Sequence, residues 1–199
     1  DLVELTDEER EAITLCASHR VPFGITPYYL SLMDREPSRR WDHAVRAQVI
    51  PPLSYVRAVL RSRSDPSASL DFMMEGQTSP VELVTRRYPM IAIFKPYNTC
   101  AQICVYCQRN WEIEGVLSED AMAPAEKIEA ALEWFEGHPA VSEVLITGGD
   151  PAMLPNSQLR SILTRLASIP HIKRLRLGTR VPVVLPMRMG SGFLDALAE

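Results

Sequence analysis

The sequence predicts an α/β protein built on a parallel sheet, and the order of its apolar segments is the main reason. Three short apolar runs have the length and composition of buried strands: MIAIF at 90–94, VSEVLI at 141–146 and IKRLRL at 172–177. A helical pattern follows each run, and strands that alternate with helices pair in parallel as right-handed β-α-β units. Helices and proline-rich loops come first, so we place a boundary between residues 85 and 86.

The N-terminal region, residues 1–85, is predicted to be helical. Thr6 and Glu9 have the spacing of a capping box, which begins a helix that runs to about residue 19. Thr26 followed by Pro27 is typical of an N-cap and a first helical position, so a short second helix is expected there. Further helices are expected at 41–49 and 54–63, and residues 65–80 are expected to be mostly loop.

The second region, residues 86–199, carries helices with one apolar face. A helix is predicted over 124–137 and another over 156–169, and a third begins near residue 191. The residues that repeat at helical spacing are Ile128, Leu132 and Phe135 in the first helix, and Leu159, Ile162, Leu163 and Leu166 in the second. These apolar faces are expected to cover the sheet.

Unusual residues follow each of the three predicted strands. The first strand is followed by three clustered cysteines, the second by TGGD at 147–150 and the third by GTR at 178–180. In parallel α/β folds the loops at the carboxyl ends of the strands form the binding face. We therefore expect these three segments to converge on one site.

The cysteine cluster consists of Cys100, Cys104 and Cys107. A disulfide would use two thiols and leave the third without a partner. Structural zinc would need a fourth ligand, such as Cys16 or a histidine, from elsewhere in the chain. A [4Fe–4S] cluster has four irons, so three thiolates leave one iron open to a small molecule. The residues alone leave these three possibilities open.

Composition excludes several classes of protein. Of the 199 residues 46% are hydrophobic and 23% charged, and the net charge of −4 predicts no general attraction to nucleic acid or to an anionic membrane. No apolar run approaches the roughly 20 residues that span a bilayer. The acidic N-terminus is unlike a secretory signal, and the cysteine pattern is unlike a secreted disulfide scaffold. We expect a cytoplasmic protein and, since the chain has no initiating Met, a piece of a longer one.

The cysteine spacing, with Tyr106 directly before the last cysteine, resembles the signature of the radical S-adenosylmethionine (SAM) enzymes. The resemblance implies a [4Fe–4S] cluster on the three cysteines whose open iron chelates the amino and carboxylate groups of SAM. Reduction by a low-potential electron donor then yields a 5′-deoxyadenosyl radical. It also implies a set of SAM-binding residues, namely Tyr106 at the adenine, Thr147, Gly148, Gly149 and Asp150 near the methionine amino group, and Gly178 and Arg180.

Longer segments are similar to the lysine 2,3-aminomutase group. These are ITPYYLSLMD, RRYP, the cysteine motif, LITGGDP and IPHIKRLRLGTRVPVVLPMR, which together span 24–188. The resemblance implies the first half of a radical SAM-type partial (β/α) barrel. It also implies an isomerase that moves an amino group from C2 to C3 of a small-molecule amino acid with the help of pyridoxal phosphate. Arg109 would then bind the substrate carboxylate, Arg87 and Tyr88 would lie at the pyridoxal phosphate site, and a homo-oligomer is possible.

The sequence departs from that group at two places. Met90 and Ile91 stand where the group has Asp and Arg, and Asn110 stands in a run that is usually arginine. No lysine of this chain matches the one that forms the Schiff base with pyridoxal phosphate, so we expect the chain to be incomplete on its own. Two alternatives therefore stay open: a divergent radical SAM enzyme that works without pyridoxal phosphate, and a structural zinc or electron-transfer module.

Overall fold

The computed structural model describes residues 2–37, 40–109, 112–113 and 115–198. The chain forms two compact units that do not follow the order of the sequence. The first unit comprises Asp1–Phe72 and Ala101–Leu117, and the second comprises Met73–Cys100 and Ser118–Glu199. The boundary placed between residues 85 and 86 thus falls inside the second unit, and the substituted Asn110 lies outside the described residues.

The first unit is helical, as the sequence predicts. Its helices are α1 (Asp7–Ser18), α2 (Pro27–Leu30), α3 (Arg40–Arg46) and α4 (Leu53–Ser64). The capping box is confirmed, because the Glu9 amide donates to the Thr6 hydroxyl and the Thr6 amide donates to the Glu9 carboxylate. Helix α3 ends three residues before the predicted end at residue 49, and the chain continues as turns in which the Val49 and Ile50 amides both donate to the Arg46 carbonyl oxygen.

A buried arginine joins the helices of the first unit. Arg46 is only 2% exposed, and its guanidinium donates to the carboxylates of Asp42 and Glu9 and to the carbonyl oxygens of Glu4 and Asp34. An apolar cluster of Ala12, Cys16, Val21 and Val56 packs α1 against α4. These contacts give the first unit its own core.

The second unit contains a four-stranded sheet in the order β1 (Val84–Thr85), β2 (Ile91–Tyr97), β3 (Glu143–Gly148) and β4 (Arg174–Leu177). Strands β2, β3 and β4 pair in parallel, which confirms the three predicted strands and the α/β class. The antiparallel strand β1 was not predicted, because two residues are too few to show a period of two.

Helices α5 (Ala125–Glu136), α6 (Asn156–Ala167) and α8 (Ser191–Ala198) contribute to one apolar core with the sheet, and α7 (Val181–Val184) is a single turn after β4. Phe94 of β2 meets Phe135 of α5 edge to face, with ring centroids 5.8 Å apart. Alternate residues of β2 are buried with Phe94, whereas its neighbours Ile93 and Lys95 are only partly buried. No helix among the described residues is both long and apolar enough to cross a membrane.

Candidate functional site

The glycine-rich segment after β3 packs directly on the residues that lead to Cys100. The Gly149 amide donates to the Tyr97 carbonyl oxygen at 2.7 Å, and the Asp150 amide donates to the Thr99 carbonyl oxygen at 2.8 Å. A β-carbon on Gly149 would lie within 3.0 Å of three backbone atoms of Thr99. Only glycine therefore allows this close approach, which brings TGGD beside the segment that ends at Cys100.

Gly148, the first glycine of TGGD, must also be glycine, for a different reason from Gly149. Gly148 adopts a φ of +113°, which disfavours residues with a side chain. A β-carbon there would also lie 2.9 Å from the Tyr97 carbonyl oxygen and 3.1 Å from the β-carbon of Lys95. The turn after β3 thus depends on both glycines.

Asp150 connects this turn to the loop after β4. The residue is 6% exposed, and its carboxylate accepts the Thr179 hydroxyl at 2.6 Å, the Arg180 amide at 2.8 Å and the Ala152 amide at 3.1 Å. Gly178 packs beside Thr147, whose hydroxyl oxygen would lie 3.2 Å from a β-carbon on that glycine. The second unit therefore holds together the TGGD segment, the GTR segment and the residues preceding Cys100, while the convergence of the whole cysteine cluster on these segments stays a prediction.

The other two cysteines belong to the first unit, where they form a tight turn. The Cys107 amide donates to the Cys104 carbonyl oxygen at 3.0 Å, and the Arg109 amide donates to the Cys107 sulfur at 3.4 Å. Burial raises the pKa of the Cys107 thiol, and the Arg109 amide opposes that shift. Upstream, the Ile103 amide donates to Gly24 and the Val105 amide to Gln48, which fixes the segment on the first unit.

Two predicted ligand-binding side chains of the first unit differ in exposure. Tyr106 is 63% exposed, so its ring is accessible. Arg109 is only 5% exposed, and its guanidinium donates to the Glu112 carboxylate at 2.9 Å. Sequence reasoning missed Glu112, although its spacing of three residues from Arg109 is the one at which oppositely charged side chains meet on a helical turn.

Arg87, one of the two predicted pyridoxal phosphate residues, belongs to a charge cluster around the buried Glu75. Arg87 donates to the Met73 carbonyl oxygen at 2.6 Å, and its terminal nitrogen lies 3.9 Å from the carboxylate of Glu75. The Lys95 ammonium lies 3.3 Å from the same carboxylate, which is almost fully buried. Within the described ranges the Nε of Arg87 is buried without a hydrogen-bond partner, whereas Tyr88 is exposed. Sequence reasoning missed Glu75; a lysine inside a strand was the available signal that a buried carboxylate lies nearby.

The sequence comparison decides the family. The sequence pattern of the protein family described as the radical SAM superfamily matches residues 94–199, which include all three clustered cysteines, TGGD and GTR. The chain belongs to the radical SAM superfamily. The resemblance in the cysteine motif is therefore confirmed across the second half of the chain.

Curated relatives of this radical SAM chain include aminomutases. It is 46% identical over 196 residues to an uncharacterized KamA family protein of Methanocaldococcus jannaschii, and 34% over 198 residues to the L-lysine 2,3-aminomutase of Bacillus subtilis. It is 32% identical over 199 residues to the glutamate 2,3-aminomutase of Clostridioides difficile. The alignments cover 98–100% of the chain but only 31, 39 and 44% of these relatives, so the chain spans less than half of their length.

The radical SAM superfamily implies a [4Fe–4S] cluster, and the donors present suit one. Among the described residues Cys100, Cys104 and Cys107 form no disulfide, and an amide already donates to the Cys107 sulfur, as it would to a cluster thiolate. Cys16, the other cysteine weighed as a zinc ligand, lies in the apolar cluster between α1 and α4. Over the described ranges no three His, Cys, Asp or Glu side chains are gathered to hold a metal ion, so the ligand set remains a prediction from the spacing.

Proposed function

We propose that this chain forms part of a radical SAM aminomutase. The observation that carries the proposal is the packing of Gly149 and Asp150 on Thr99, directly before Cys100, in a chain that matches the superfamily over this segment. This packing sets a SAM-type glycine-rich turn beside one of the predicted cluster ligands. The identity to lysine and glutamate 2,3-aminomutases supports the choice of reaction class.

In this proposal each predicted residue has a physical task. The thiolates of Cys100, Cys104 and Cys107 hold the cluster, and when bound the reduced cluster and SAM supply a radical that removes a hydrogen atom from the substrate. The exposed ring of Tyr106 stacks on the adenine. The backbone of 147–150 and of 178–180 lines the methionine part of SAM. Holding the reactants in one geometry is the main contribution of the protein.

The proposed substrate is a small α-amino acid whose amino group moves from C2 to C3. Arg109 would bind the substrate carboxylate with its planar guanidinium, in competition with Glu112. Arg87 and Tyr88 would bind pyridoxal phosphate. None of the three lysines is proposed as its Schiff-base residue, because Lys95 faces Glu75, Lys127 pairs with Glu82 at 2.7 Å and Lys173 donates to a nearby carbonyl oxygen.

The partners and location follow from the reaction proposed. A low-potential electron donor would reduce the cluster, and we place the protein in the reducing cytoplasm, with association into a homo-oligomer possible. We propose no role in binding nucleic acid or membranes, given the net charge of −4.

A second candidate is a radical SAM enzyme that works without pyridoxal phosphate. Met90 and Ile91 replace the Asp and Arg of the aminomutase group, and the Arg87 side chain lies against a buried carboxylate. A pyridoxal phosphate absorption band that appears on titration and weakens in Arg87→Ala would favour the aminomutase. No binding at millimolar cofactor would favour the second candidate.

The test is anaerobic iron–sulfur reconstitution followed by electron paramagnetic resonance of the reduced protein with and without SAM. We expect about four irons per chain and a cluster signal that changes when SAM is added. Cys104→Ala should lose the cluster, whereas Cys16→Ala, a cysteine outside the motif, should keep it. Bound zinc, or a cluster signal that ignores SAM, would refute the proposal.

A further inference from the structure

Asp150 contacts the loops after all three parallel strands. It lies in the turn after β3, its amide donates to Thr99 after β2, and its carboxylate accepts from Thr179 and Arg180 after β4. We propose that Asp150 is a positioning residue that locks the Gly178–Arg180 loop in place and so presets the SAM site, rather than a direct ligand of SAM. The consequence for SAM rests on the proposed function; the lock itself does not.

The carboxylate of Asp150 is already used by the protein. One oxygen accepts the Thr179 hydroxyl at 2.6 Å and the Ala152 amide at 3.1 Å, and the other accepts the Arg180 amide at 2.8 Å. A carboxylate offers about four acceptor positions, so three are filled from inside the fold. At 6% exposure little of the side chain remains to meet a ligand.

The bonds also explain why this position needs a carboxylate. Hydrogen bonds to a charged acceptor are stronger than neutral ones, and three donors offset the cost of burying the charge. The Thr179 hydroxyl accepts in turn from the Val181 amide at 3.0 Å, which links the lock to the start of α7. The conformation of the loop after β4 thus depends on one side chain after β3.

Two substitutions test the lock from opposite sides. Asp150→Asn keeps the shape but replaces one carboxylate oxygen by an NH2 group, which faces the N–H of Arg180 in one orientation of the amide and the N–H of Ala152 in the other, so two donors meet in either case. Thr179→Val keeps the shape of the other partner and removes its hydroxyl. Thr179→Ser keeps a hydroxyl at this position, so it should hold the loop as the parent protein does. Asp65→Asn is the matched control, because Asp65 also accepts an amide and a hydroxyl, from Ser67, in an exposed turn.

The first readout is hydrogen–deuterium exchange of the backbone amides at 178–181. We expect both variants to exchange roughly tenfold faster there, the change that loss of a charged hydrogen bond produces. The double variant should exchange at least as fast as either single variant, because the two substitutions remove different hydrogen bonds of the same carboxylate. Thr179→Ser and Asp65→Asn should resemble the parent protein. Unchanged exchange at 178–181 in Asp150→Asn would overturn the proposal.

The second readout is SAM affinity of the reconstituted protein. We expect Asp150→Asn and Thr179→Val to weaken binding by similar factors, and Thr179→Ser to restore it. A large loss in Asp150→Asn with none in Thr179→Val would mean that Asp150 contacts SAM directly, and would overturn the proposal. If the parent protein does not bind SAM, the proposed function fails, while the exchange experiment still decides whether the lock exists.

Discussion

Replacing Gly149 by alanine should be the most damaging single methyl addition in the glycine-rich turn. The new β-carbon would lie within 3.0 Å of the nitrogen, carbonyl carbon and oxygen of Thr99. These are backbone atoms in a paired segment, so they cannot move aside as a flexible side chain could. Relief requires the turn to separate from Thr99, which would also stretch the hydrogen bond from the Asp150 amide.

The magnitude follows from these two losses. Overpacking typically costs about 1–3 kcal/mol, and a weakened buried hydrogen bond adds about 1 kcal/mol. We expect Gly149→Ala to lower the free energy of unfolding by roughly 2–4 kcal/mol, which lowers the melting temperature by about 2–4 °C for each kcal/mol at this chain length.

Differential scanning calorimetry measures the effect, and Gly190→Ala is the control. Gly190 lies in the same unit, and a β-carbon on it would meet no atom within 4 Å, so its change should stay within about 0.5 kcal/mol. Iron content after reconstitution should also fall in Gly149→Ala alone. If both variants melt at the same temperature, the inferred contact between the turn and Thr99 is wrong.

Three further predictions concern buried charge and a buried thiol. Glu75→Gln should cost about 3 kcal/mol because it leaves two cations facing a neutral amide, whereas Glu82→Gln, in an exposed pair, should cost less than about 1 kcal/mol by urea unfolding. Arg46→Lys should clearly lower the melting temperature, because one ammonium group cannot donate to both the Asp42 carboxylate and the Asp34 carbonyl oxygen as the planar guanidinium does. The same substitution at the exposed Arg35 should leave the melting temperature unchanged. Burial raises the pKa of the Cys16 thiol, so alkylation at pH 8.5 should be slow in the native protein and fast in urea. Because the unfolded thiol loses its proton first, stability should fall as pH rises through the ordinary thiol range, and Cys16→Ala should reduce that fall.

The strongly periodic segments of the second unit could be predicted from the sequence. Helix α5 and helix α6 bury the faces that their spacing indicated, and β3 starts and ends within two residues of the predicted run. Strand β2 continues to Tyr97, past its predicted end at Phe94. Lys95 and Pro96 interrupt the apolar run, and the pairing with β3 shifts register across them before it resumes at Tyr97 with Gly148.

The division into units could not be predicted, because it depends on contacts between distant parts of the chain. Residues 101–117 belong to the first unit through the bonds of Ile103 with Gly24 and of Val105 with Gln48. Neither partner has a sequence feature that marks it as an acceptor, since backbone carbonyl groups are present at every residue. The partners of Asp150 could not be predicted either, because nothing in the sequence marks them. From the sequence alone, its side chain could equally have capped the next turn or met a ligand.

The charge cluster at Glu75 bears on whether pyridoxal phosphate is used. Met90 and Ile91 contribute no charge at the start of β2, and Met90 instead uses its carbonyl oxygen to accept the amides of residues 142 and 143. Arg87 is the residue of this segment that is predicted to bind the phosphate, and Glu75 already neutralises part of its charge. Lys95 shares that carboxylate, so the three side chains together carry one net positive charge. A phosphate bound beside Arg87 would therefore still leave Glu75 paired with Lys95. The titration of Arg87→Ala with pyridoxal phosphate tests this arrangement.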